Sequence, residues 1–135
     1  MPAETTDPAF VMRLDFSDGH RLGRGKIQLL ENIRIHGSIS AGGRAMEMSY
    51  RRAWLLVDEM NRMFRDPVVV TQRGGREGGR AVVTSFGEDL VSRFRAMEGH
   101  ARLAIDSHIE WLTSVRRPTF SSESTGADRV IKPKA

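Results

Sequence analysis

There is no cysteine in the chain, so neither a disulfide nor a thiolate metal site is open to it. No apolar run approaches the roughly 20 residues needed to span a bilayer. Residues 1 to 9 lack the basic start and apolar centre of a secretory signal. These absences predict a cytoplasmic protein with no membrane partner. Catalytic patterns are missing too. No His-Glu-x-x-His or paired-carboxylate arrangement occurs, and the glycine-rich segments lack the Gly-Lys-Ser/Thr ending of a phosphate-binding loop. The four histidines are scattered. His20 lies in a turn and His36 beside Gly37 at a helix end. His100 and His108 are eight residues apart, about 80° from each other around a helix, which suits joint ligation poorly. We expect no enzyme, no metal and no cofactor, with structural roles for all four.

What is present is a core and an excess of arginine. The 135 residues suffice for one domain, with 39% hydrophobic and 28% charged residues. The formal net charge of +4 suits a polyanionic partner. Residues 44 to 80 contain eight arginines against five acids, whereas residues 1 to 23 carry two arginines against four acids. Arginine can bond phosphate or guanine bidentately through its planar fork of donors.

The basic region centres on residues 38 to 65, read as two helices joined by a tight turn. Ser40 is the expected N-cap of a short helix to about Met46, and Ser49 that of a longer helix to about Arg65. Only Glu47 and Met48 lie between, as in a helix-turn-helix. The second helix carries Ala53, Leu56, Val57, Met60, Met63 and Phe64 at helical spacing as a core stripe. Its first turn, Tyr50-Arg51-Arg52, is polar and basic, the pattern of a recognition helix in a major groove. An ordinary amphipathic helix with a solvated basic end is the competing reading. Trp54 and Trp111 read as core or interface anchors.

Around this pair the chain falls into four parts. Residues 1–9 read as a flexible arm. Residues 10–84 form the helix-turn-helix domain. Phe10 to Phe16 alternates as a strand, Asp18-Gly19 turns, and a helix runs from about Lys26 to His36 with Gly37 as its C-terminal cap. After Pro67, Val68 to Thr71 and Ala81 to Val83 are short strands. The segment Gln72 to Arg80 between them, with four glycines and three arginines, has the composition of a wing lying along a phosphate backbone. Residues 85–116 form a long helix capped by Thr84. Leu90, Phe94, Met97, Ala101, Ala104, His108 and Trp111 make a stripe along it, expected to pack against the same helix of a second subunit. A helix broken at Gly99-His100 and folded back is the alternative. Residues 117–135 read as a disordered basic tail.

Several runs together resemble a known family. They are Leu22-Gly23-Arg24-Gly25-Lys26, Leu29-Leu30, Gly37-Ser38-Ile39-Ser40-Ala41, and Met48-Ser49-Tyr50-Arg51-Arg52-Ala53-Trp54-Leu55-Leu56-Val57-Asp58-Glu59-Met60-Asn61. With the Gly-Gly-Arg-Glu-Gly-Gly wing and Thr84-Ser85-Phe86-Gly87, they are similar to the N-terminal winged helix-turn-helix domain of the ModE-type molybdate-responsive transcription regulators, over roughly residues 10 to 98. Two departures stand out. Gly42-Gly43 replaces a usual Ala-Ala, a cost of about 2 kcal/mol if uncompensated, and Met46-Glu47 replaces a usual Leu-Gly. Regulators of this type also carry small β-barrel molybdate-binding domains, for which residues 117 to 135 offer no material. The resemblance thus implies the DNA-binding half of the family and not the oxyanion sensor.

The fold expected is mainly α with a small β-hairpin wing, a winged helix-turn-helix plus a long C-terminal dimerisation helix. The partner expected is double-stranded DNA carrying an inverted-repeat operator, bound by a homodimer in bacterial transcription control. Tyr50, Arg51 and Arg52 are candidates for base edges and nearby phosphates, Ser49 chiefly for the cap, and Arg44, Arg73, Arg76 and Arg80 for the sugar-phosphate backbone. Two alternatives remain: direct sensing of molybdate or another small anion at the dimer interface, and a winged-helix protein-interaction module. Neither is the first expectation.

Overall fold

Leucine and isoleucine at helical spacing set the first long element. Ile27, Leu30 and Ile33 fall on one face, Leu29 joins them, and all four are buried. The computed structural model describes residues 8–72 and 79–118. In order these form β1 (Arg13–Asp15), β2 (Arg21–Gly23), α1 (Arg24–His36), α2 (Ile39–Ala45), α3 (Tyr50–Met63), β3 (Val69–Gln72), β4 (Arg80–Val83) and α4 (Ser85–Ser114). Helices α2 and α3 are the helix-turn-helix, β3 and β4 the hairpin behind it, and α4 the long C-terminal helix, so the fold is a winged helix-turn-helix.

The first strand is shorter than the alternation of Phe10 to Phe16 implied, and it has a partner, β2, that the sequence reading did not contain. The two pair antiparallel with Leu14 opposite Leu22. Gly19 closes the turn at a φ of 96°, open to glycine at no steric cost. Asp18 accepts the His20 backbone N–H at 3.0 Å and lies 3.2 Å from its ring Nδ1. The backbone bond, then the ring, hold its carboxyl below the usual aspartate value.

Both helix-turn-helix glycines are explained by close approach. A Cβ on Gly42 would lie 2.8 Å from Ile33 Cγ1 in α1, and one on Gly43 would lie 2.6 Å from Ala53 Cβ in α3. Helix α2 therefore presses on both neighbours at a distance that alanine would prevent, and packing offsets the lost helix propensity. The cap of α2 is Ser38, whose hydroxyl accepts the Ala41 N–H, rather than Ser40. Ser38 has the extended backbone that an N-cap needs, while Ser40 already lies in the helix. Ser49 caps α3 as expected, accepting the Arg52 N–H at 3.1 Å. Glu47, in the turn between, sits at a φ of 60°, the left-handed region.

Helix α3 is tied down on its flanks. The Lys26 ammonium of α1 donates to Glu59 at 2.9 Å and to the Arg21 carbonyl. The Asn61 side chain works at the other end. Its Oδ1 accepts the N–H groups of Val68 at 2.7 Å and Val69 at 3.3 Å, and its Nδ2 donates to the Val69 carbonyl at 3.1 Å. Val68 and Val69 are buried, so this amide supplies bonds that solvent does not.

Strands β3 and β4 pair antiparallel from Val69–Val83 to Gln72–Arg80. The Ala81 N–H donates to the Gly37 carbonyl at 2.9 Å, which joins β4 to the end of α1. Gly37 itself has a φ of 83° and caps α1 by donating to Ile33, as expected. Thr84 links the hairpin to α4. Its hydroxyl accepts the Gly87 N–H at 2.9 Å and donates to the Pro67 carbonyl at 2.7 Å. Gly87 is packed against the Val68 carbonyl and Val83 with no room for a side chain, and Phe86 meets Phe64 with ring centroids 5.6 Å apart.

The described residues divide into two units, the compact Ala9–Ala104 and the stretch from Ile105 to residue 118. In the first, α4 contributes Val91 and Phe94 to the core, with Leu90 packed against it. Arg95 donates to both Glu31 oxygens, at 3.0 and 2.7 Å, and to Glu98 at 2.8 Å. The Arg95 hydrogen bonds, against a smaller desolvation effect, hold the Glu31 carboxyl below its ordinary value. Its ionised form thus stabilises the fold at pH above that ordinary value, and the contribution is lost as pH falls through the lowered one. In the second unit the last turns of α4 keep Ile109 and Thr113 half-buried and leave His108, Trp111 and Leu112 exposed, as is Val115 just after the helix. The helix is unbroken through Gly99-His100. No described helix is long and apolar enough to cross a membrane.

Two stability measurements check these contacts. Asn61→Ala strands the N–H groups of buried Val68 and Val69 and is expected to cost about 1–3 kcal/mol in denaturant unfolding; a loss under about 0.5 kcal/mol would show the amide to be dispensable. Glu47→Gly removes left-handed strain worth about 1–2 kcal/mol and adds freedom to the unfolded chain. The expected net gain is up to about 1 kcal/mol, read as a higher thermal midpoint, and a lower midpoint would refute the strain.

Candidate nucleic-acid interface

Successive residues of a helix point about 100° apart, so the run Tyr50-Arg51-Arg52 fans out over about 200° and cannot act as one cluster. The buried residues of α3 are Ala53, Val57 and Met60. Diametrically opposite them lies a stripe of Arg51, Leu55, Asp58 and Arg62, at steps of four, three and four residues. Arg51, Leu55 and Arg62 are exposed and Asp58 is half-buried. Tyr50 and Trp54 share one flank, both exposed. Trp54, at 43% exposure, is thus not a core residue of this domain. Arg52 occupies the opposite flank.

The charges on α3 are sorted as well as placed. Asp58 pairs with Arg62 at 3.0 Å, and Glu59 with Lys26 at 2.9 Å. Arg51 and Arg52 form no ion pair among the described residues. The N-terminal half of the outward face therefore carries a net positive charge beside the positive end of the helix dipole. Arg52 lines an open groove of about 470 Å³ with Arg21, Gly25, Lys26, Leu56 and Glu59. Arg21 and Lys26 were not among the sequence candidates. The pairing of Lys26 with Glu59 spans 33 positions, and no local pattern announces it.

The remaining candidates divide. Arg44 is exposed in the last turn of α2. Ser49 is engaged as the α3 cap. Arg80 opens β4, exposed, and borders a second groove with Gln72, Arg34 and Glu88. Arg73 and Arg76 lie outside the described residues. Among the residues expected at a subunit seam, Phe94 is only 1% exposed and belongs to the domain's own core. Its spacing matched the seam, but in the first three turns of α4 it lies within the buried core cluster of the domain. Leu90 and Ala101 are half-buried, and Met97, Ala104, His108 and Trp111 are exposed.

No family model matches the chain. Individual proteins do. It is 38% identical over 104 residues to a molybdenum transport protein, ModE, of Azotobacter vinelandii, covering 77% of this chain and 38% of that protein. It is 42% identical over 79 residues to the molybdenum-pterin-binding protein MopA of Rhodobacter capsulatus, covering 58% and 30%. It is 35% identical over 81 residues to the DNA-binding transcriptional dual regulator ModE of Escherichia coli K12, covering 60% and 31%. The chain thus spans about a third of the length of the curated relatives it matches. With its winged helix-turn-helix, its capped α3 and these matches, the chain resembles the N-terminal domain of the ModE-type molybdate-responsive regulators over the matched segment.

Proposed function

We propose that this protein is a sequence-specific double-stranded DNA-binding protein that acts in bacterial transcription control as a homodimer. The observation that carries the reading is the outward face of α3. It presents Arg51 and Arg52 without acid partners, while both acids of the helix are neutralised by Arg62 and Lys26. In this reading α3 enters the major groove with Arg51 leading to base edges, and Tyr50 and Arg52 reach the two flanking walls. Arg44 and Arg80 lie beside the backbone, with Arg73 and Arg76 of the wing in the same role. The name of the Escherichia coli relative, a DNA-binding regulator, supports the same partner.

Dimerisation rests on the far end of α4 and the residue after it, where Trp111, Leu112 and Val115 stay exposed. An apolar face of this kind is covered most simply by the same helix of a second copy. Two heads related by a two-fold axis read an inverted repeat. The relatives' names also concern molybdenum, but they describe proteins about three times as long as the matched segment. The DNA-binding step proposed for this chain uses its own arginines and needs no oxyanion.

Fluorescence anisotropy with duplexes selected from a random pool tests the reading. Binding should weaken steeply with salt and be unchanged by added molybdate. A molybdate-dependent affinity would relocate an anion site to this chain, and no binding at low salt would turn the search to a protein partner. Arg51→Ala should cost about 1–3 kcal/mol on the selected site and little on random duplex; equal losses would remove Arg51 from base reading. Arg44→Ala and Arg80→Ala should weaken both alike and flatten the slope of log affinity against log salt by about one each. An unchanged slope would take that arginine off the backbone.

A further inference from the structure

Leu55 is the exposed aliphatic residue on the outward stripe of α3, and neither the core nor the charge pattern explains it. It is 48% exposed and points away from Ala53, Val57 and Met60. On the outward stripe it lies about 40° from Arg51 and about 20° from Arg62 around the helix axis. Its neighbours along that stripe are a cation one turn before it and the Asp58–Arg62 pair one turn after it. An apolar side chain set among charges has no large hydrophobic surface of its own to join. In a major groove it has one apolar feature to meet, the C5-methyl group of thymine.

We propose that Leu55 determines specificity by packing on a thymine methyl at the centre of the α3 contact. The inference rests on the DNA-binding reading and deepens it. Arg51 and Leu55 are four residues apart, about 6 Å along the axis, close to two base-pair steps of about 3.4 Å. The methyl-bearing pair therefore lies about two steps from the pair that Arg51 reads. Leucine has no hydrogen-bonding group, so discrimination at this step comes from the methyl group alone. Uracil, which differs from thymine only by lacking that group, is the matched probe.

The test uses the full chain and duplexes it selects from a random pool. Each thymine of the selected site is replaced singly by deoxyuridine, and affinity is read by fluorescence anisotropy at fixed salt. The wild type should lose about fourfold at one thymine per half-site, the value of burying one methyl group, and nothing elsewhere in the α3 footprint. Leu55→Ala should bind the thymine and uracil forms of that site equally, and Leu55→Met, which keeps an apolar contact, should retain the difference. Because Leu55 is outside the core, circular dichroism should show both variants folded. A selected site with no uracil-sensitive thymine, or a sensitivity that persists in Leu55→Ala, overturns the assignment while leaving DNA recognition intact. A chain that enriches no sequence from the pool overturns both.

Discussion

The amide of Asn61 is the contact on which the geometry of this domain turns. A recognition helix is useful only if its rotation about its own axis is fixed, because a shift of one residue moves every side chain by about 100°. Asn61 fixes that rotation from the far end of α3 by binding both polar groups of Val69 and the N–H of Val68. The same bonds locate the start of the hairpin, so helix and wing are positioned by one side chain. Gly43 against Ala53 sets the distance to α2, and Lys26 on Glu59 holds the flank towards α1. Each constraint acts on the buried side or an edge of the helix, and the outward stripe is left out of all of them.

Electrostatics follows the same division. Five acids of the domain are matched to nearby cations: Glu31 and Glu98 to Arg95, Glu88 to Arg34, Glu59 to Lys26, Asp58 to Arg62. Exposed pairs of this kind add little to stability. On α3 the larger effect of the Asp58–Arg62 and Glu59–Lys26 pairs is to cancel the helix's own negative charge, so that Arg51 and Arg52 set the local field.

Elements with local signals were legible in the sequence. Ser49, Thr84 and Gly37 announce helix ends by residue type and neighbour pattern, and the structure uses all three as caps. Two serines two positions apart made the start of α2 ambiguous, and the backbone at Ser38 decided it. The partner strand β2 was missed because three residues carry no periodicity worth reading. Gly42 and Gly43 looked costly until the distance to Ile33 and Ala53 was known. Phe94 fitted a seam by spacing, yet spacing cannot tell a residue packed against its own domain from one facing a second copy. The candidate site was legible as a set of residue types and not as a direction. Tyr50, Arg51 and Arg52 are adjacent in the chain and point three ways in space, and Leu55 gains interest only once its outward position is known.

The separation of faces on α3 has a consequence for how such a protein diverges. Ala53, Val57 and Met60 hold the helix in place, and Arg51 and Leu55 hold nothing. Substitutions on the outward stripe leave packing, caps and the Asn61 bonds untouched, so folding does not filter them. Selection for stability and selection for preference act on different positions of the same 14-residue helix. A duplicated copy of this domain can therefore drift to new targets in single steps, each descendant as stable as its parent.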